Sequence, residues 1–234
     1  MMPPRASELV HGKRPLIVAH RGDSRLAPEN TLPAFLSASE AGSDFIELDY
    51  RHTADGIPVV IHDDTLNRVT NARAVWPNDP EEIKLSSKTL AEVLETISPR
   101  TCIAIERKDG DPETLLKVLS PEQRQRVVVM AFDWKYLAAL HDLDEDIELV
   151  ALGKGELTDE RFSGIEQTGA TIVNWDYRNL AVDDIRRIHD RGLKTWTWTV
   201  DDPQRATLLL NGGLDGLTTN HPRKMLALRA ELGK

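Results

Sequence analysis

With one cysteine in 234 residues, Cys102, the chain has no internal disulfide framework and no second thiol for a cysteine-built zinc site. Nothing in it calls for an oxidising compartment. No segment is long or apolar enough to span a bilayer, so stable membrane insertion is not expected. Residues 1–15 carry basic side chains but no apolar core of the kind a secretory signal needs, because the first apolar run is only Leu16 to Ala19. A cytoplasmic location is the expectation. Positive charge is also in short supply: 29 Lys and Arg stand against 38 Asp and Glu, a formal charge of −9. That overall field disfavours nucleic acid and anionic lipid, and leaves a small anionic ligand held by a local basic patch. Internal repeats and low-complexity tracts are absent too, and the chain reads as one domain, 1–234, long enough for one large core.

What is present is an alternation of short β-branched or apolar runs with segments of helical period, the pattern of repeated βα units and a parallel sheet. Eight strands are expected: Leu16 to Ala19, Phe45 to Tyr50, Cys102 to Glu106, Val127 to Phe132, Ile147 to Leu152, Thr171 to Trp175, Lys194 to Val200 and Gly216 to Thr219. Asp111-Pro112 and Asp202-Pro203 read as an N-cap followed by proline at the first helical position, and Gly42 and Gly192 close other helices. Each strand then has a following helix, and the fold class is α/β, a (β/α)8 TIM barrel. A ninth run, Pro58 to Ile61, lies too close to the second strand for a parallel crossover, but Ala54-Asp55-Gly56 is good turn chemistry. Residues 50–62 are therefore a β-hairpin extending from strand two. A turn centred on Asp55 would set His62 opposite Leu48, returning it to Glu47 and Asp49. Residues 64–88 carry turn and breaker residues and read as a loop over the barrel mouth.

Catalytic groups of such barrels sit at the C-terminal ends of strands. His20-Arg21-Gly22 ends the first run: a group that exchanges protons near neutral pH, a planar donor set suited to phosphate, and a glycine that lets backbone approach a ligand. Glu47 and Asp49, two apart on a strand, share a face, and a bound Mg²⁺ or Ca²⁺ would relieve their repulsion; a pair of salt-bridged rim carboxylates is the other reading. Glu106 ends a third apolar run and can complete a metal site, with Lys108 on the same face left for phosphate; a simple Glu–Lys rim pair is the alternative there. His62-Asp63 ends the hairpin and supplies a second imidazole. Trp196 and Trp198 share one face of their strand, both as core or with Trp198 against an alkyl part of a substrate. The other histidines, at 11, 52, 141, 189 and 221, fall in loop or helical contexts and are assigned no role.

The ordered set His20-Arg21-Gly22, Pro28-Glu29-Asn30-Thr31, Glu47-Leu48-Asp49, Asp55-Gly56, His62-Asp63, Glu106 with Lys108, Trp198-Thr199-Val200 and Asp215-Gly216-Leu217-Thr218-Thr219 resembles the glycerophosphodiester phosphodiesterase family, from about Leu16 to Pro222. The resemblance implies that Glu47, Asp49 and Glu106 bind one divalent cation, Mg²⁺ or Ca²⁺, and that His20 and His62 are the general acid and base. It further implies that Arg21 and Lys108 engage phosphate and that Asn30 and Trp198 shape the glycerol end. Three departures stand out: a shorter 64–88 stretch, Ala131-Phe132 where relatives often have Ser-Phe, and Asp201 where asparagine is common. The implied reaction is metal-dependent hydrolysis of a small-molecule glycerophosphodiester to glycerol 3-phosphate and an alcohol. Two rivals are kept. One is lysophospholipase D-type hydrolysis of lysophospholipids, marked by an exposed apolar groove beside the phosphate site. The other is a non-catalytic barrel that binds a phosphorylated ligand, against which the paired histidines and three carboxylates argue.

Overall fold

Side chains of successive strand residues point to opposite faces, and in this chain that period of two sorts residues into two apolar layers. The computed structural model describes residues 4–65 and 88–234. Its eight parallel strands are β1 (Leu16–Ala19), β2 (Phe45–His52), β4 (Cys102–Arg107), β5 (Val127–Ala131), β6 (Glu148–Gly153), β7 (Ile172–Asp176), β8 (Lys194–Trp198) and β9 (Gly216–Thr219). Each pairs in parallel with the next, and β1 joins both β2 and β9, which closes the barrel. Outward residues such as Ile17, Ile46, Leu48, Ile103 and Val129 pack under the surrounding helices, while inward Leu16, Val18, Phe45, Ala104, Val128 and Trp196 form a second cluster inside the barrel. Each fully buried large side chain contributes about 1.5–3 kcal/mol. The helix α1 (Ala6–Val10) adds Ala6 and Val10 to that inner cluster. Five residues are too few to display a helical period, so this helix is not legible from hydrophobic pattern.

The connecting helices begin and end as their residues require. Thr31 caps α2 (Leu32–Ala41), and Gly42 at φ 87° ends it in a left-handed turn that a side chain would strain. Thr89 and Glu92 form a reciprocal capping box on α3 (Leu90–Ile97). Asp111 and Asp202 cap α4 (Pro112–Val118) and α9 (Pro203–Asn211), each with proline at the first turn, as expected from sequence. Among the described residues the remaining α-helices are α5 (Pro121–Arg124), α6 (Trp134–Leu143), α7 (Asp159–Glu166), α8 (Val182–His189) and α10 (Pro222–Glu231).

The expected hairpin is present: β3 (Pro58–Val60) runs antiparallel to β2 with Tyr50 opposite Val60, Arg51 opposite Val59 and His52 opposite Pro58. These pairs centre the turn on Asp55, and the Ile61 N–H donates to the Asp49 carbonyl at 3.0 Å, so the register continues toward His62. On its other edge Val60 N–H donates to the Lys88 carbonyl at 2.9 Å. Of the loop expected at 64–88, positions 66–87 lie outside the described residues. Among the described residues no helix is long and apolar enough to cross a membrane.

Candidate active site

Followed upward along the barrel, the inward-facing positions change character. Leu16 and Val18 lead to His20; Phe45 leads to Glu47 and Asp49; Cys102 and Ala104 lead to Glu106 and Lys108; Trp196 leads to Trp198. The same alternation that fills the barrel with apolar side chains therefore delivers a polar top layer at the C-terminal strand ends. There a cavity of about 290 Å³ is lined by His20, Arg21, Glu47, His62, Glu106 and Lys108 on one side. Met130, Phe132, Leu152 and Trp198 form an apolar wall on the other.

The loop after β1 is built for close approach. Gly22 adopts φ 84°, and a Cβ there would lie 2.7 Å from the Ala34 backbone, so only glycine lets this loop rest against α2. Arg21, itself at φ 54°, donates its backbone N–H to Glu47 Oε2 at 2.7 Å. Its guanidinium lies 3.2 Å from Asp49 Oδ2 and 2.8 Å from Glu29 Oε1. Lys108 places its ammonium 3.0 Å from Asp49 Oδ1 and pairs with Glu106.

Glu47, Asp49 and Glu106 present one oxygen each within 4.8 Å of one another. Burial first, and then the Asp49 charge, push Glu47 up to about 8 and Glu106 up to about 7. Burial would raise Asp49 as well, but Lys108 and Arg21 outweigh it and hold this carboxyl below its ordinary value. Glu47 Oε1 is buried with no hydrogen-bond partner. Three clustered carboxylates, two of them reluctant to ionise and one with an orphaned oxygen, suit a hard divalent cation of the Mg²⁺ or Ca²⁺ class.

His20 rests its Nδ1 on Asn220 Oδ1 at 2.7 Å, and His62 its Nδ1 on Asp63 Oδ1 at 2.6 Å. Burial lowers both imidazoles below the ordinary histidine value; Arg21 adds to this at His20, while Asp49 and Asp63 oppose it at His62. Asn30, expected at the glycerol end, spends its amide on Asp49: Nδ2 donates to Oδ2 at 2.9 Å and Oδ1 accepts from the Asp49 N–H at 3.3 Å. It orients a carboxylate here rather than lining the cavity. Trp198 lines the cavity edge-on to Phe132, with centroids 5.7 Å apart, whereas Trp196 is buried inside the barrel.

Sequence reasoning overlooked Asn220, which follows β9 just as His20 follows β1, and Phe132, which the same alternation places inward. The strand-end rule would have found both. Of the histidines assigned no role, His11 meets Glu148 at 2.9 Å, His52 meets Asp109 at 3.1 Å and His189 meets Asp215 at 2.7 Å, all outside the cavity.

A model of the glycerophosphoryl diester phosphodiesterase family matches residues 20–109 and 99–224. A glycerophosphodiester phosphodiesterase of Caldanaerobacter subterraneus subsp. tengcongensis is 30% identical over 91% of this chain and 97% of its own. One from Bacillus subtilis is 29% identical over 92% and 86%. Among solved structures, an Oleispira antarctica phosphodiesterase in complex with the product sn-glycerol-3-phosphate superposes with a TM-score of 0.86 at 24% identity, covering 94% of this chain and 98% of that one. The Thermotoga maritima glycerophosphodiester phosphodiesterase gives 0.76 at 26% identity, covering 93% and 100%. Matched by the family model along nearly the whole barrel and by relatives over nine-tenths of its length, the chain belongs to the glycerophosphoryl diester phosphodiesterase family and is an enzyme of that kind.

Proposed function

We propose that the protein hydrolyses glycerophosphodiesters to glycerol 3-phosphate and an alcohol in a reaction that depends on one Mg²⁺ or Ca²⁺ ion. The observation that carries this reading is the meeting, in one small cavity, of two imidazoles, two cationic side chains and two carboxylates that cluster with the buried Asp49. Glu47, Asp49 and Glu106 would hold the cation, which when bound supplies positive charge beside the phosphoryl oxygens. Arg21 and Lys108 bind the phosphodiester and stabilise the negative charge that grows on it in the transition state. His20 and His62 carry the protons: one takes a proton from the nucleophile, which is water or a substrate hydroxyl whose cyclic phosphate water then opens, and the other gives one to the departing alcohol. Both hold Nδ1 against a protein acceptor, so Nε2 is the atom each offers to the reaction. Asn30 works through Asp49, and Trp198 with Phe132 supplies an apolar surface for carbon atoms of the substrate.

The cavity volume, at the low end of the range for small-molecule sites, favours a compact glycerol-phosphate end. The apolar wall supports the second reading, a lysophospholipid, because Phe132 is 47% exposed at the rim and could meet an acyl chain. Turnover measured across glycerophosphodiesters and lysophospholipids, with Mg²⁺, Ca²⁺ and a chelator, tests both. Preference for lysophospholipids would replace the first reading by the second, and no turnover of either class with either ion would refute both.

A further inference from the structure

Three adjacent strand ends meet behind His20. We propose that Asp201 and Asn220 are positioning residues, a hydrogen-bonded pair that fixes His20 in the tautomer protonated on Nδ1 and turns its Nε2 to the cavity. The proposal rests on the reading of His20 as a proton carrier. Asp201 lies just beyond β8, Asn220 directly after β9 and His20 directly after β1. Asp201 Oδ1 accepts from the Thr219 hydroxyl at 2.9 Å and from the Asn220 backbone N–H at 2.8 Å, and its Oδ2 accepts from Asn220 Nδ2 at 2.7 Å. Asn220 Oδ1 faces His20 Nδ1 at 2.7 Å, with the Ser24 hydroxyl donating to the same oxygen at 3.2 Å.

The direction of every bond in this chain follows from one charge. An ionised carboxylate only accepts, so Asp201 draws the NH₂ end of the Asn220 amide toward itself. Burial would raise the Asp201 carboxyl, but its bonds from Asn220 and Thr219 outweigh that and hold it below the ordinary value, which keeps it ionised. With its NH₂ engaged, Asn220 has only its carbonyl to offer His20. A carbonyl also only accepts, so His20 Nδ1 must donate, and in the neutral ring Nε2 is left bare. The backbone holds the parts in place: His20 N–H donates to the Thr219 carbonyl at 2.9 Å, in continuation of the β1–β9 pairing.

Because one charge sets the polarity, the pair can be reversed by substitution. In Asp201→Asn the new side-chain oxygen still accepts from Asn220 N–H and Thr219, so the new NH₂ faces the Asn220 side chain. Asn220 then turns its carbonyl to that NH₂ and its own NH₂ to His20, which must accept on Nδ1 and carry its proton on Nε2. Adding Asn220→Asp restores the original polarity, because the new carboxylate accepts from position 201 on one side and from His20 Nδ1 on the other.

The test combines ¹⁵N NMR of histidine-labelled, Mg²⁺-loaded protein, with the His20 signals assigned by their loss in His20→Gln, and steady-state turnover. Expected are Nδ1 protonation in the wild type, Nε2 protonation in D201N with kcat down about 10- to 100-fold and KM little changed, and recovery of both in D201N/N220D. An Nε2-protonated wild type, an unchanged tautomer in D201N, or a double variant that keeps the Nε2-protonated tautomer of the single would each overturn the proposal. Should D201N fail to fold, the double variant decides: Nδ1 protonation with kcat near wild type upholds the pair, and loss of either overturns it. A tautomer that reverses and recovers while kcat stays constant would uphold the positioning and refute instead the role of His20 in proton transfer.

Discussion

Glu47→Gln separates the cost of the carboxylate cluster from its use. Two carboxylates at 4.8 Å, the outer separation within the cluster, repel by about 3.5 kcal/mol at an effective dielectric constant of roughly 20. Independently, a Glu47 carboxyl pushed up to about 8 from 4.5, mainly by burial, costs the cation-free protein on the order of 5 kcal/mol once ionised, at about 1.4 kcal/mol per pH unit. The second figure is not repulsion alone, because burial is its largest cause and Arg21 and Lys108 offset part of the Asp49 repulsion. The sign follows from proton counting: a folded-state value above the unfolded one means that the folded protein holds the extra proton between about pH 4.5 and 8. Stability therefore falls as pH rises through that window and levels off above it. Glu106, pushed up to about 7, adds to the fall over the lower part of the same range. Urea unfolding in chelator should show wild-type stability dropping between about pH 5 and 8.5, and Glu47→Gln dropping less and ending the more stable of the two. Saturating Mg²⁺ or Ca²⁺ should narrow that gap, since an ion at 100 times its Kd adds about 2.7 kcal/mol to the form that binds it. Activity of Glu47→Gln should be lost throughout. A chelated wild type equally stable at both pH values, or a Gln variant no more stable than wild type at the higher one, would refute the reasoning.

The cavity yields further expectations. His20→Ala and His62→Ala should each lower kcat at least about 10²-fold with smaller changes in KM, and surviving kcat with raised KM would remove them as acid and base. Lys108→Met should weaken substrate binding and lower kcat together, since its charge serves both bound phosphate and transition state; steady-state kinetics that leave both unchanged would count against a phosphate contact. Gly22→Ala should destabilise by about 1–3 kcal/mol or more, since its Cβ would meet the Ala34 backbone at 2.7 Å, and should also impair turnover by shifting His20 and Arg21; thermal melts and kcat check both. Phe132→Ala should change kcat/KM for lysophospholipids more than for small glycerophosphodiesters if the apolar wall contacts an acyl chain, and equal effects would dismiss that contact.

Much of this was legible from strand periodicity. Phe45-Ile46-Glu47-Leu48-Asp49 announces both its layers, because alternation forces Phe45, Glu47 and Asp49 inward and Ile46 and Leu48 outward. The hairpin was readable for a similar reason: a turn at Asp55 and a period of two leave one register, and Tyr50 opposite Val60 is that register. Less legible were features set by tertiary direction. Asn30 sits at φ 58° in a loop, where no period fixes which way its amide points, and it turned to Asp49. Asn220 bears on His20 only because the barrel closes β9 onto β1, a contact spanning 200 positions that local pattern does not encode.

Release of sn-glycerol 3-phosphate, followed by a coupled assay on a series of glycerophosphodiesters with the purified protein, tests the central claim most directly. Mg²⁺ or Ca²⁺ should support multiple turnovers, chelator should abolish them, and restoring the ion should return them. Full turnover after rigorous removal of divalent metal would contradict the role given to Glu47, Asp49 and Glu106, and no release from any glycerophosphodiester with either ion would contradict the assigned reaction.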